Sequence, residues 1–118
     1  YRRYKNIQFL GKISDKEKWE LLSKASGYIQ CGIEDFGIFP IEAMLCGTPV
    51  LAYKGGGIVE SLSEGSTGLF FSTLDVAEFE KVFERFEREK WSHKKIVEYV
   101  KGFAKNDFKE KVLRIANN

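Results

Sequence analysis

Glu34-Asp35-Phe36-Gly37-Ile38-Phe39-Pro40-Ile41-Glu42-Ala43-Met44-Leu45-Cys46-Gly47 is the stretch on which the reading of this chain turns. Its second half predicts a short helix from Ile38 to Cys46, with apolar Ile38, Ile41, Met44 and Leu45 at helical spacing. Pro40 fits only the first turn, where its missing N–H has no partner to lose. Gly47 falls just past the end and Pro49 prevents continuation. Ahead of the stretch, Gly27-Tyr28-Ile29-Gln30-Cys31 is a β-prone run bounded by Gly27 and Gly32, suited to a buried strand at Tyr28–Cys31. Strand, Gly-containing turn and helix therefore place Glu34 at the C-terminal edge of a strand and Glu42 about one turn into a helix.

A helix start leaves about four backbone N–H groups unpaired and carries roughly half a positive charge. Together these attract phosphate without a lysine. Gly37 lets the backbone approach a ligand closely, so the amides of Gly37, Ile38 and Phe39 are the expected phosphate donors. Each residue also has an ordinary structural account. Glu42 in a first turn complements the helix dipole, worth about 0.3–1 kcal/mol when exposed. Asp35 can cap the turn, and Phe36 and Phe39 can fill a core. It is the conjunction that points to a ligand.

Outward from this stretch, β and α patterns alternate. A strand is expected at Ile7–Leu10 and a helix at Asp15–Ala25. That helix has Ser14 or Asp15 as its N-cap and an apolar face of Trp19, Leu21, Leu22 and Ala25. Strand Val50–Tyr53 precedes a short helix Ile58–Leu62, and Leu69–Phe71 reads as the last strand. Short loops between alternating elements imply an α/β fold with a parallel sheet. Beyond Asp75 the chain reads as helical. Val76, Phe79, Val82, Phe83 and Phe86 form one stripe, continued by Ile96, Val97, Val100 and Phe103, and a last helix is expected at Asp107–Ala116.

Composition narrows the class. The 118 residues are 43% hydrophobic and 31% charged, as in a globular domain rather than a disordered one. A net charge of +2 gives no reason to expect nucleic acid. No run approaches the ~18 apolar residues of a membrane span. Cys31 and Cys46 lack metal-pair spacing and are expected to be buried, acting as small apolar residues in a reducing compartment. His93, the single histidine, is expected to serve a surface or capping role, and no metal site is expected.

The stretch Glu34 to Met44 resembles the E-x7-E signature of glycosyltransferase family 4, retaining enzymes of the GT-B fold that use nucleotide sugars. Cys46-Gly47-Thr48-Pro49-Val50-Leu51-Ala52, Gly55-Gly56-Gly57-Ile58-Val59-Glu60 and Glu64-Gly65-Ser66-Thr67-Gly68-Leu69-Phe70 are similar to further blocks of that family, in the same order. Phe9-Leu10-Gly11-Lys12-Ile13 resembles the strand and loop that cover the base. The likeness runs from Ile7 to Phe71 and is closest to mannosyltransferases using GDP-mannose. UDP-sugar enzymes share most of the same blocks.

The resemblance implies a Rossmann-like parallel sheet flanked by helices. On this reading residues 1–118 are the nucleotide-sugar-binding C-terminal domain of a GT-B enzyme, N-terminally incomplete, with a helical tail. The partners implied are a nucleotide sugar, GDP-mannose or a UDP-sugar, and an N-terminal acceptor-binding domain absent from the chain. The acceptor is a saccharide or lipid-linked molecule, with a membrane-surface acceptor among the options; no cofactor or metal is implied. A cytoplasmic site, peripheral to the inner face of the membrane, goes with it. Glu34 is the implied catalytic residue, meeting donor-sugar hydroxyls. Phe36, Gly37, Ile38 and Phe39 hold sugar and phosphate by their amides, Glu42 binds the ribose, Ile13 meets the base by its backbone, and Gly56 lines the donor side. Glu60 is implied to hold the Gly55–Gly57 turn. The family's basic pair for the diphosphate has no counterpart here, since Arg2 and Arg3 lie too near Ile7. The alternative reading is a freestanding nucleotide-sugar-binding or regulatory subunit.

Overall fold

Val50-Leu51-Ala52 is an unbroken apolar run, and a strand of that kind must be covered on both faces. A computed structural model of the chain describes residues 4–33, 38–73 and 75–102, the side chain of Ile38 excepted. In it three strands, β1 (Tyr28–Gln30), β2 (Val50–Tyr53) and β3 (Gly68–Phe71), form a parallel sheet in the order β1-β2-β3. Ile29 pairs with Leu51, which pairs in turn with Leu69. Helices α1 (Asp15–Lys24), α2 (Ile38–Leu45), α3 (Ile58–Ser61), α4 (Val76–Arg88) and α5 (93–102) surround it.

The alternation of β2 divides the core in two. Val50 and Ala52 join Leu22 of α1, Ala43 and Met44 of α2, Ile58 of α3, and Ile96 and Val100 of α5. Leu51 faces the other way, with Leu69, Phe71 and Phe86, against the aromatic face of α4. There Phe79 meets Phe71 edge-on at 5.1 Å and stacks on Phe83 at 5.9 Å. Helices on both faces of a parallel sheet make this the Rossmann-like α/β architecture expected.

The element ends have identifiable causes. Ser14 caps α1 in a full capping box with Glu17, accepting from its N–H at 3.2 Å. At the end of α2, Gly47 N–H donates to Met44 O at 2.9 Å and Thr48 N–H to Ala43 O at 3.0 Å. Gly47 has φ 79°. This is the Schellman termination that Gly47 and Pro49 predicted. The Thr48 hydroxyl, fully buried, donates to Leu22 O and ties α1 to the entry of β2. His93 Nδ1 lies 2.6 Å from Gly47 O. The lone histidine thus fastens α5 to the end of α2, a structural role.

Four expectations are corrected. Ile7–Leu10 is not a strand: it joins no ladder among the described residues, and Phe9 and Leu10 are exposed. In a doubly wound sheet the strand before the switch point lies at the far edge, away from β1. Of the apolar face assigned to α1 only Leu22 is buried, while Trp19 and Leu21 are exposed. This helix lies beside the β1 edge, where the described sheet ends. Ile96 and Val100 do not continue the α4 stripe. The chain leaves α4 at Glu89, turns around Trp91, whose indole N–H donates to Phe86 O at 2.9 Å, and lays α5 on the opposite face. Cys31, expected to be buried, is exposed, because the strand stops one residue before it; Cys46 is half-buried. The helix expected at Asp107–Ala116, like Phe103, lies outside the described residues.

Gly68 is the tightest point of the sheet. A Cβ there would sit 1.9 Å from Val50 O, backbone that cannot swing aside. Gly68→Ala is expected to cost roughly 1–3 kcal/mol through overpacking, read as a lowered urea midpoint; an unchanged midpoint would show that β2 and β3 are not this close.

Candidate functional site

Parallel sheets present their ligand sites beyond the C-terminal ends of the strands. Here that end is built from residues 31–33 after β1, the turn 54–57 after β2, and the start of α2. The two turns abut, since a Cβ on Gly55 would meet Tyr53 Cε1 at 3.3 Å and Ile33 Cδ1 at 3.4 Å. Gly56, at φ 73°, makes the second turn possible. Backbone bonds close that turn, Val59 N–H to Gly56 O and Glu60 N–H to Gly57 O. The Glu60 side chain is exposed and bonds to nothing among the described residues, so it does not hold the turn as the resemblance implied.

Beside β1 opens a cleft of about 490 Å³, walled by Leu10, Ile13, Lys18, Tyr28, Gln30 and Phe39 among others. Its size falls in the range of small-molecule sites, about 300–1,000 Å³. Tyr28 OH donates to Gln30 Oε1 at 2.6 Å, holding two wall residues together. A larger cavity of about 830 Å³, lined by Gly27, Pro49, Phe86 and Trp91 among others, lies at the opposite, N-terminal ends of β1 and β2. Strand polarity argues against the larger cavity, whereas the smaller cleft runs along the β1 edge from Tyr28 to Gln30 and takes in the first turn of α2 at Phe39.

The sequence-predicted residues divide as follows. Ile13 is half-buried in the cleft wall, and Phe39, 45% exposed, forms the wall at the first turn of α2. Ile38 begins that helix. Glu42 sits one turn in and is half-buried behind Lys18 rather than in the wall itself. Gly56 is exposed on the neighbouring turn. Glu34, Phe36 and Gly37 lie outside the described residues.

Sequence reasoning missed Lys18, Tyr28 and Gln30. For Lys18 a signal existed: it stands four residues before Leu22, the buried position of α1, and so shares its stripe. A lysine on the apolar stripe of a helix calls for a buried anion. Lys18 Nζ lies 2.7 Å from Glu42 Oε2, and the two side chains are only 20% and 16% exposed. The approach is an ion pair by distance but is not aligned as a hydrogen bond, so Oε2, shielded from solvent, has no hydrogen-bond partner. Contact with Glu42 raises the Lys18 amine above its usual 10.5, against the opposing effect of burial; the charges of Glu42 and Asp15 add to it. Lys18 therefore stays protonated at neutral pH. Its pairing with Asp15, 3.6 Å away on a side chain 93% exposed, adds little. The Cys46 thiol is pushed up as well, first by burial and then by the charge of Glu42.

Among the described residues no three His, Cys, Asp or Glu side chains come together as a metal site, and no helix is long and apolar enough to cross a membrane.

Residues 2–103 match the family model described as glycosyl transferases group 1. The chain belongs to this family. It is 44% identical over 89 residues to the alpha-1,3/1,6-mannosyltransferase alg-2 of Neurospora crassa, an alignment covering 70% of this chain and 19% of that protein. It is 38% identical over 84 residues to the human alpha-1,3/1,6-mannosyltransferase ALG2, with 70% and 20% covered. Against the phosphatidyl-myo-inositol mannosyltransferase of Propionibacterium freudenreichii it is 38% identical over 74 residues, with 59% and 19% covered. The chain thus spans about a fifth of the length of these curated relatives.

The two cysteines report on the surroundings of the site. Titration with a chromogenic disulfide at pH 7.5 is expected to modify Cys31 quickly and Cys46 at least about tenfold more slowly, as exposure and thiolate fraction dictate. Equal rates would contradict the burial assigned to Cys46.

Proposed function

We propose that this chain forms the donor-binding C-terminal domain of a retaining glycosyltransferase. The enzyme moves mannose from GDP-mannose to a saccharide or lipid-linked acceptor. The observation that carries the reading is the placement of the start of α2 on a cleft that runs along the β1 edge of the sheet, with Glu42 one turn behind it. The mannosyltransferase names of the relatives support mannose, and that of the bacterial relative supports a lipid-linked acceptor at a membrane surface. Such an acceptor accords with a cytoplasmic enzyme lying against the inner face of the membrane.

In this reading the diphosphate lies against the amides from Phe36 to Phe39, where N–H groups and helix dipole stabilise the charge that grows on departure. Glu34 accepts hydrogen bonds from donor-sugar hydroxyls and holds the ring for an oxocarbenium-like state. Glu42 accepts from the ribose diol through its carboxylate, and the backbone of Ile13 meets the base. Gly56 keeps the neighbouring turn close to the donor. The bond from the anomeric carbon to phosphate oxygen breaks with its electron pair going to the diphosphate. The acceptor oxygen bonds to the same face, and its proton passes to the departing phosphate. Neither glutamate is assigned a covalent role. The contacts to the acceptor come from the second domain of the GT-B fold.

Thermal-shift measurements on the full-length protein with GDP-mannose, UDP-glucose and UDP-N-acetylglucosamine test the donor. GDP-mannose is expected to raise Tm most; a larger shift with either UDP-sugar would overturn the choice. Glu42→Ala is expected to weaken GDP binding by roughly 1–3 kcal/mol, as for loss of a charged hydrogen bond, and unchanged calorimetric affinity would remove Glu42 from the ribose. Glu34→Ala is expected to lower turnover far more than nucleotide affinity. Full activity in that variant would show that Glu34 only packs.

A further inference from the structure

We infer that Lys18 is a positioning residue for the donor: its ammonium holds the Glu42 carboxylate in one orientation, so that the remaining oxygen can accept from the ribose diol. The inference rests on the proposed role of Glu42 and adds to it a second residue, from a different helix, without which that role fails.

A carboxylate 16% exposed, with one oxygen shielded from solvent and lacking a hydrogen bond, is costly unless a cation stands against it. Lys18 Nζ is that cation, at 2.7 Å, brought across the contact between α1 and α2. The ammonium is itself confined. It lies 5.5 Å from the centroid of the Trp19 ring and 5.4 Å from that of Phe39, within cation–π range of both. Phe39 belongs to the first turn of α2, three residues before Glu42, so ring and carboxylate flank the ammonium from one helix. The other facing groups are Asp15, 3.6 Å away and almost fully exposed, and Cys46, whose thiol is raised in part by the Glu42 charge. Neither competes with Lys18 for Glu42.

The consequence is an asymmetric carboxylate. Oε2, shielded from solvent, is the oxygen set against Lys18. A carboxylate turning freely in water would have to be ordered on binding, at a cost in affinity; this one is ordered beforehand. Lys18 also lines the cleft, so the pair reaches the space a nucleoside would fill. Loss of its charge leaves a mostly buried carboxylate without its cation, free to swing toward solvent. That removes the acceptor for the diol.

The test separates this role from mere support of the fold by reading ribose recognition directly. GDP and its 2′,3′-dideoxy analogue are titrated by calorimetry into the full-length protein and into its Glu42→Ala, Lys18→Met, Lys18→Gln and Lys18→Arg variants, with folding checked by circular dichroism. The wild type is expected to prefer GDP by about tenfold or more, the span of a charged hydrogen bond. Glu42→Ala, Lys18→Met and Lys18→Gln are each expected to reduce that preference to within about threefold of parity. Lys18→Arg, which keeps the charge, is expected to retain most of it. If Glu42→Ala abolishes the preference and both neutral Lys18 variants keep it, the Lys18 inference is overturned and the Glu42 role stands. If Glu42→Ala leaves the preference unchanged, or the wild type does not bind GDP, the underlying reading fails and takes the inference with it. Loss of the preference in Lys18→Arg equal to that in Lys18→Met would also overturn it, because charge would not be what matters.

Discussion

Burial of β2 on both faces is the constraint from which the architecture follows. Val50, Leu51 and Ala52 are wholly inaccessible, which requires a strand on each side and a helical layer above and below. Parallel pairing with β1 and β3 then sends each connection back across the sheet as a helix. The approach of β3 is so close at Gly68 that only hydrogen fits against Val50 O. With that sheet in place, β1 is left as an edge, and the cleft opens beside it against α1 and the first turn of α2.

Placement of the cleft depends on how α2 is anchored at its far end. The Schellman bonds at Gly47, the buried Thr48 hydroxyl on Leu22 O and the His93 ring against Gly47 O hold the C-terminal end of an eight-residue helix from three directions. Ala43 and Met44, both fully buried, fasten its inner face to β2. The outer face and first turn are thereby left to present Phe39 to the cleft and Glu42 to Lys18. Rigidity at one end gives precision at the other. The same logic accounts for a costly buried charge: the Lys18–Glu42 pair joins α1 to α2 where apolar packing between them is thin, since Trp19 and Leu21 stay exposed.

Much of this was legible in the residues, for physical reasons. Pro40 and Gly47 mark the two ends of α2, because Pro40 fits only the first turn and Gly47 takes the positive φ past the last, and the observed helix runs from Ile38 to Leu45. Val50–Tyr53 was read to the residue because a doubly buried strand is apolar throughout. The N-cap of α1, read as Ser14 or Asp15, is Ser14. What escaped were features that depend on partners distant in sequence. Ile7–Leu10 has the composition of a strand, but a strand exists only through its ladder. The stripe of α4 and the apolar residues of α5 share a period, yet the turn at Trp91 sends them to opposite faces. Lys18 and Glu42 are 24 positions apart, and the place of Lys18 on the α1 stripe calls for an anion without saying which.

The central claim is that a nucleotide sugar occupies the cleft between α1 and the start of α2. A crystal structure of the full-length protein with GDP tests it most directly. The account predicts diphosphate oxygens within hydrogen-bond distance of the amides of residues 37–39 and the ribose diol on Glu42, with Lys18 still against the same carboxylate. Nucleotide found instead in the cavity bounded by Gly27, Phe86 and Trp91, with the cleft empty, would contradict it.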